Sequence, residues 1–175
     1  MIQLQPFDED LKQREILPHN PIYTDIFQDV KAYVEATVQD IELIHIGSTA
    51  VADLRGKPMI DILALTDHNN LREKQLEFEQ LGFHRRAVWN DTDEKPYVCA
   101  SVFVNNRRFN LNIHISHPDH SQVEALTSFV KTLQKNPDFR RKYEQAKDRA
   151  HAANPKDPQS YNRAKESVIL EIQQK

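Results

Sequence analysis

One stretch of the chain, Ile44 to Leu65, concentrates residues whose types and spacing suit work on a bound anion. It reads Ile-His-Ile-Gly-Ser-Thr-Ala-Val-Ala-Asp-Leu-Arg-Gly-Lys-Pro-Met-Ile-Asp-Ile-Leu-Ala-Leu. A short β-branched strand ends at Gly47, and a turn or short helix follows. Glycine lets backbone close on a phosphate with no side chain in the way, and the amides of the next turn point at that anion. Ser48 adds a hydroxyl donor, and Thr49 continues the same loop. Asp61 stands on a second apolar strand, thirteen residues after Ser48. A carboxylate placed opposite the loop suits a divalent cation, Mg2+ or Mn2+, that bridges to phosphates.

Further polar residues surround this pair in sequence. Lys57 and Arg55 flank Gly56 between the loop and the Asp61 strand, and either suits a cationic clamp on a triphosphate. His45, two residues before Gly47, either lines the same pocket or orients the Gly-Ser loop. Asn112 and His114 share the polar side of a later strand. His114 has several open roles: general base, nitrogen ligand, phosphate donor or satisfied structural histidine. Arg107-Arg108 leads into that strand and is a candidate contact for an acceptor or base. Tyr143 with Lys147, and Tyr161 with Lys165, have a four-residue spacing that places each pair on one helix face. The tyrosines are expected to pack between helices and the lysines to be available to an anion.

The elements that must position these groups are legible from periodicity. Pro18 to Pro21 opens a helix whose apolar residues run from Ile22 to Val38. Ile41–Ile46 and Met59–Leu65 read as strands. Leu71–Leu81 reads as a helix closed by Gly82, and Phe83–Trp89 as a further strand. Asp91–Pro96 is a polar turn, Tyr97–Val104 a strand, and Asn105-Asn106 a hairpin turn. Residues 108–116 alternate most clearly: Phe109, Leu111, Ile113 and Ile115 on one side, Asn110, Asn112, His114 and Ser116 on the other. Beyond them come a helix around Val123–Leu133, a break at Asn136-Pro137, a helix over Phe139–Ala153, a loop over Asn154–Pro158 and a last helix over Tyr161–Ile172. This order predicts an α/β (α+β) core with a mixed sheet over residues 1–118 and C-terminal helices over 119–175, packed as one structural unit.

The motifs resemble those of the GrpB family, within the nucleotidyltransferase superfamily that includes DNA polymerase beta. His-Ile-Gly-Ser-Thr-Ala-Val followed by Lys-Pro-Met-Ile-Asp-Ile-Leu is similar to the family signature. Phe109–Ser116, Leu126–Pro137 and the two Tyr-x-x-x-Lys helices are similar to its C-terminal half, so the resemblance runs from about residue 20 to 172. It implies a nucleotidyltransferase-like fold, and it favours Lys57 as the phosphate clamp. The chain departs from the pattern in four places, the least of them Ala52, where the signature loop usually has proline. Leu63 stands where the superfamily has a second acid. Asn112 or His114 stands where a third acid is expected. Val130-Lys131 replaces the family's Arg-Asp pair.

Composition limits the alternatives. The 175 residues include 39% apolar and 28% charged side chains and carry a formal charge of −3. General nucleic-acid binding is therefore not expected. No apolar run approaches the ~20 residues needed to span a bilayer, and the chain reads as cytoplasmic. The single cysteine, Cys99, lies in an apolar run and reads as a buried, inert thiol. The leading expectation is binding of a nucleoside triphosphate or related phosphorylated small molecule. Gly47, Ser48, Thr49, Lys57 and Asn112 would hold it, Asp61 would hold the metal, and Asp61 and His114 would serve transfer of a nucleotidyl group. The alternatives are a non-catalytic nucleotide-binding module and a metal-dependent hydrolase or transferase using His45, Asp61 and His114. Asp53 or Asp91 would have to supply any further carboxylate.

Overall fold

A strand that alternates apolar and polar residues needs covering material on both sides, and the strand at Arg107–Ser116 gets it by occupying the middle of the sheet. The computed structural model describes residues 2–10, 16–85, 92–153 and 158–173. Five strands form one sheet: β1 (Leu4–Gln5), β2 (Glu42–Ile46), β3 (Met59–Leu65), β4 (Tyr97–Val104) and β5 (Arg107–Ser116). Their spatial order is β1-β4-β5-β3-β2. β4 and β5 form an antiparallel hairpin, and Asn105 and Asn106 turn it with φ of 50° and 61°. Positive φ at both central residues gives a turn whose twist matches the strands it joins, and asparagine tolerates that conformation. β3 runs parallel to β5 and antiparallel to β2.

Helices cover both faces. Ile60, Ile62 and Ala64 of β3 point to the same side as Phe109, Leu111, Ile113 and Ile115 of β5. There they meet α1 (Ile22–Glu35), through Tyr23, Ile26, Phe27, Val30 and Val34, and α2 (Leu71–Gln80), through Phe78. Ile46, Leu63 and Leu65 point to the other side. They pack beneath α3 (Ser121–Lys135), α4 (Pro137–Ala153) and α6 (Glu166–Gln173), through Phe129, Leu133, Tyr143, Val168 and Ile172. α5 (Pro158–Arg163) precedes α6. The expected α+β architecture with a mixed sheet and a C-terminal helical section is thus the observed one.

Local chemistry explains the boundaries. Asn20 Oδ1 accepts from Ile22 N at 3.1 Å and starts α1. Gly82, at φ 98°, ends α2, with Phe83 N donating to the carbonyl of Phe78. Asn136 separates α3 from α4 because its Oδ1 accepts from both Asp138 N and Phe139 N, capping the second helix while Pro137 cannot extend the first.

One expectation needs correction, and another is only partly described. The last helix is broken: a tight turn at Ala164-Lys165, where Lys165 N bonds to Asn162 O, divides α5 from α6. An amphipathic pattern does not show such a break, because the turn keeps the apolar stripe in phase. Of the strand expected over 83–89, the described part holds one isolated bridge, His84 with Cys99, and residues 86–89 lie outside the described residues. The expected loop at 154–157 lies outside them as well. β1 went unread, since two residues carry no period. Cys99 is fully buried, with its thiol against the carbonyl of His84.

Leu133 is fully buried between α3 and the sheet-side cluster. Leu133→Ala is expected to cost about 2–5 kcal/mol, the usual range for such a deletion. If helices and sheet form one cooperative unit, urea unfolding followed by far-UV and near-UV circular dichroism will shift by the same amount in both probes.

Candidate phosphate-binding site

The register of three strands builds the site. Ile46 pairs with Asp61, and Asp61 pairs with Asn112. Gly47, one residue beyond Ile46, therefore lies against Asp61. Its φ of 74° and ψ of −169° fall in a region essentially reserved for glycine. A Cβ built there would stand 2.7 Å from Asp61 Oδ2. The loop then turns through Ser48–Ala50, a single 3-10 turn. Gly56 closes the other side: a Cβ there would be 2.8 Å from Ser48 Oγ. Two of the three glycines thus exist to let this loop, Ser48 and Asp61 come together.

Asp61 is half-buried and held from β5. Asn112 Nδ2 donates to Asp61 Oδ1 at 2.8 Å, and the Tyr97 hydroxyl donates to Asn112 Oδ1. Burial raises the Asp61 pKa above the ordinary carboxylate value, against the Asn112 hydrogen bond and the nearby His114 and Lys165, which lower it. His114 sits one step along the same face, opposite Leu63 in register, with its ring 5.3 Å from that of Tyr97. Burial lowers its pKa, so the imidazole is favoured over the imidazolium.

Above Asp61 lies a stack of alternating cations and rings. Lys57 Nζ is 4.3 Å from the centre of the Tyr161 ring, and Lys165 Nζ is 4.1 Å from the same ring. Lys165 also lies 6.0 Å from the Tyr143 ring, and Lys147 lies 4.9 Å from it. The turn between α5 and α6 is what delivers Lys165 to this position. Burial lowers Lys165 to about 8, with Lys57 acting in the same direction and Asp61 opposing. Burial likewise lowers Lys147 to about 7, and its Nζ donates to the carbonyl of Arg55. The Tyr161 hydroxyl is pushed up to about 12 and that of Tyr143 upward as well, both by burial. Among the described residues, no hydrogen-bond acceptor contacts Lys165 Nζ. Aromatic faces offset part of the repulsion among ammonium groups without neutralising them.

Several candidates lie elsewhere. His45 faces the opposite side of the sheet: its register partner is Ile62, and its ring stacks on Phe27 at 5.0 Å. Its Nε2 meets Thr49 Oγ1 at 3.0 Å, and burial holds its pKa near 4. His45, Asp61 and His114 therefore do not converge, which removes the three-residue metal centre. Thr49 is buried, and its hydroxyl donates to Met59 O while meeting His45, so that hydroxyl is committed within the fold. Arg55 pairs with Asp148 at 2.7 Å, and its amide donates to Glu144, which pins the loop to α4. Arg108 donates to Pro6 O and Ser101 Oγ and lies 3.7 Å from Asp8, while Arg107 lies over Phe109. Both occupy the far end of β5, and Arg108 anchors the N-terminal segment there. Asp53 is exposed, and Asp91 lies outside the described residues. Sequence reasoning missed Tyr97, whose place opposite His114 across the hairpin was the available signal.

Comparisons with known proteins identify the family and the fold. The family model described as "GrpB protein" matches residues 13–175. The chain belongs to the GrpB family. It is 26% identical over 164 residues to the UPF0157 protein PA4798 of Pseudomonas aeruginosa, covering 90% of this chain and 65% of that protein. It is 25% identical over 180 residues to the UPF0157 protein BH1888 of Halalkalibacterium halodurans, covering 94% and 89%. The crystal structure of GrpB from Enterococcus faecalis superposes with a TM-score of 0.73 at 21% identity, over 91% of this chain and 98% of that one. The Cid1 poly(U) polymerase with Mg and 3′-dATP superposes at 0.57 and 12% identity, over 92% of this chain and 49% of Cid1. These structures establish a nucleotidyltransferase-like fold. No helix among the described residues is long and apolar enough to cross a membrane.

Gly47→Ala is expected to destabilise the protein more than Gly82→Ala, whose added Cβ meets Leu4 only at 3.8 Å. The excess reflects contact with Asp61, so it should shrink in an Asp61→Ala background. A double-mutant cycle by urea denaturation would measure that coupling, and simple additivity would contradict the contact.

Proposed function

We propose that this GrpB-family protein binds a nucleoside triphosphate or a related phosphorylated small molecule between Gly47–Ser48, Asp61 and the lysine stack. The observation that carries the reading is the stack itself. Three ammonium groups, Lys57, Lys147 and Lys165, are held around two tyrosine rings beside a glycine-opened turn. Concentrated positive charge of this kind, partly removed from water, is complementary to a polyphosphate. The nucleotide complexes of Cid1 on a similar fold support the choice of ligand class.

The residues around Asp61 fit one Mg2+ or Mn2+ ion and not two. Asp61 is a hard oxygen donor, and a single Mg2+ held by one carboxylate plus the ligand's own phosphates is an accepted arrangement. A two-ion centre does not fit. Leu63 shares the face of Asp61 and offers no donor. Asn112 turns its Nδ2 toward Asp61 and gives its Oδ1 to Tyr97. No group of three acids, histidines or cysteines positioned for a metal occurs among the described residues. The ammonium of Lys165 supplies positive charge at Asp61 instead. Binding without nucleotidyl transfer is therefore the reading these side chains favour over the two-ion transfer reaction.

Calorimetry with ATP and inorganic tripolyphosphate tests the proposal. Lys165→Met should weaken both by about tenfold or more, the scale of a lost charge-assisted contact. Asp61→Asn should remove any Mg2+ dependence without weakening metal-free binding, because it deletes a negative charge facing the ligand. Unchanged affinity in Lys165→Met would refute the site.

The lysine pKa values give a signed pH prediction. An anion raises a depressed lysine pKa, so binding near pH 8 should take up protons. Titrations in two buffers of different ionisation enthalpy would show this, and Lys165→Met should reduce the uptake. Stability has its own sign. Folded-state pKa values of about 7 and 8 against the ordinary lysine value of 10.5 mean that ammonium burial costs most at low pH. Ligand-free melting temperature should carry a component that rises from pH 7 to pH 10, and Lys147→Met should diminish it.

A further inference from the structure

A cavity of about 460 Å3 opens on the same face of the sheet, one strand step beyond Asp61, and is lined by Leu63, Pro96, His114, Ser116 and Leu126. That volume lies in the ~300–1,000 Å3 range of small-molecule sites. β3 and β5 form its floor, α3 forms one wall through Gln122 and Leu126, and Thr92–Pro96 forms the rim. Ser116 is 5% exposed. Its carbonyl accepts from Thr66 N, yet its Oγ is buried with no hydrogen-bond partner among the described residues. A buried hydroxyl left unpaired costs free energy, so the fold bears a cost that a bound donor or acceptor would remove. Alternation places Ser116 on the side of Asn112 and His114, about 7 Å beyond His114 along the strand.

The chemistry of the lining selects the ligand. The floor offers a hydroxyl, an imidazole and leucine, with no carboxylate to attract a cation. The lysine stack lies at the Gly47 end and is absent from the lining. The two charged side chains present, Glu94 and Lys95, have opposite signs and belong to the rim. We infer that this cavity binds an uncharged, hydroxyl-bearing group, such as a sugar or other polyol, with Ser116 as its buried hydrogen-bonding partner. The inference deepens the phosphate reading and rests on it for the charged end alone. The whole site then accepts an anion at Gly47–Ser48 and a neutral hydroxylated group at Ser116. That group is either covalently part of the phosphorylated ligand or a separate alcohol bound beside it.

Saturation-transfer NMR with glycerol, ribose and myo-inositol, with and without tripolyphosphate, tests the separate-alcohol case. The attached case is tested by calorimetry, comparing ATP with tripolyphosphate. One of two results is expected: saturation of a free polyol, or ATP binding at least tenfold tighter than tripolyphosphate. Leu126→Trp, which fills the cavity, and Ser116→Val should each abolish that signal while leaving tripolyphosphate affinity unchanged. Gln122→Trp at an exposed wall position replaces Leu126→Trp if the latter fails to fold. No polyol saturation together with equal ATP and tripolyphosphate affinities overturns the inference and leaves the phosphate reading intact. A polyol or ATP signal that survives both Ser116→Val and the cavity-filling variant also overturns it. Loss of tripolyphosphate binding alone defeats the phosphate reading and leaves the cavity assignment standing.

Discussion

The close approach of Gly47 to Asp61 is the constraint on which the rest of the site depends. A backbone in the glycine-only region sits against a carboxylate oxygen, with no room for even one methyl group between them. The approach follows from strand register: β2 must deliver Ile46 opposite Asp61, and β5 must deliver Asn112 on the other side. A one-residue slip of β3 against its neighbours would turn Asp61 toward α1 and move Ile60 and Ile62 out of that core to the opposite face. The apolar faces of β3 and β5 therefore position the carboxylate as firmly as its own hydrogen bond does. The helices complete the arrangement. Packing of Leu63 and Leu65 beneath α3, α4 and α6 brings Tyr143 and Lys165 over the acid.

Much of this was legible in the sequence, for reasons that differ by residue. Strand β5 was readable because its period of two is unbroken over ten residues. The Gly47–Asp61 pairing was readable because a scarce glycine, a hydroxyl and a carboxylate recur at a known spacing between two strands. The resemblance to the GrpB family carried the fold further than periodicity did, since periodicity established an α/β core without its strand order. Of the two readings of His45, the contact with Thr49 fits the loop-orienting one, and sequence distance from Gly47 could not choose because it says nothing about which side of a strand faces the pocket. The pairing of His45 with Ile62 settles that, and pairing is long-range information. Lys165 was noticed as a candidate, but its position depends on a break between α5 and α6 that leaves no mark in the amphipathic pattern. Ser116 stood in the polar alternation with Asn112 and His114, and only three-dimensional packing shows that its hydroxyl is unpaired.

The substitutions at two acidic positions give the site its electrostatic character. With Leu63 and Asn112 in those places, one carboxylate remains, and its pKa is raised by burial. A pocket with three closely spaced acids binds cations first and anions through them. This pocket instead has one acid facing a stack of lysines, an arrangement that, under the proposed function, would attract an anion directly. Burial adds responsiveness: ammonium groups with pKa values of about 7 and 8 are held near the point where they gain or lose protons. On the proposed reading, an arriving phosphate would complete their charging, coupling ligand capture to proton uptake and affinity to the stability of the helical layer that carries the lysines.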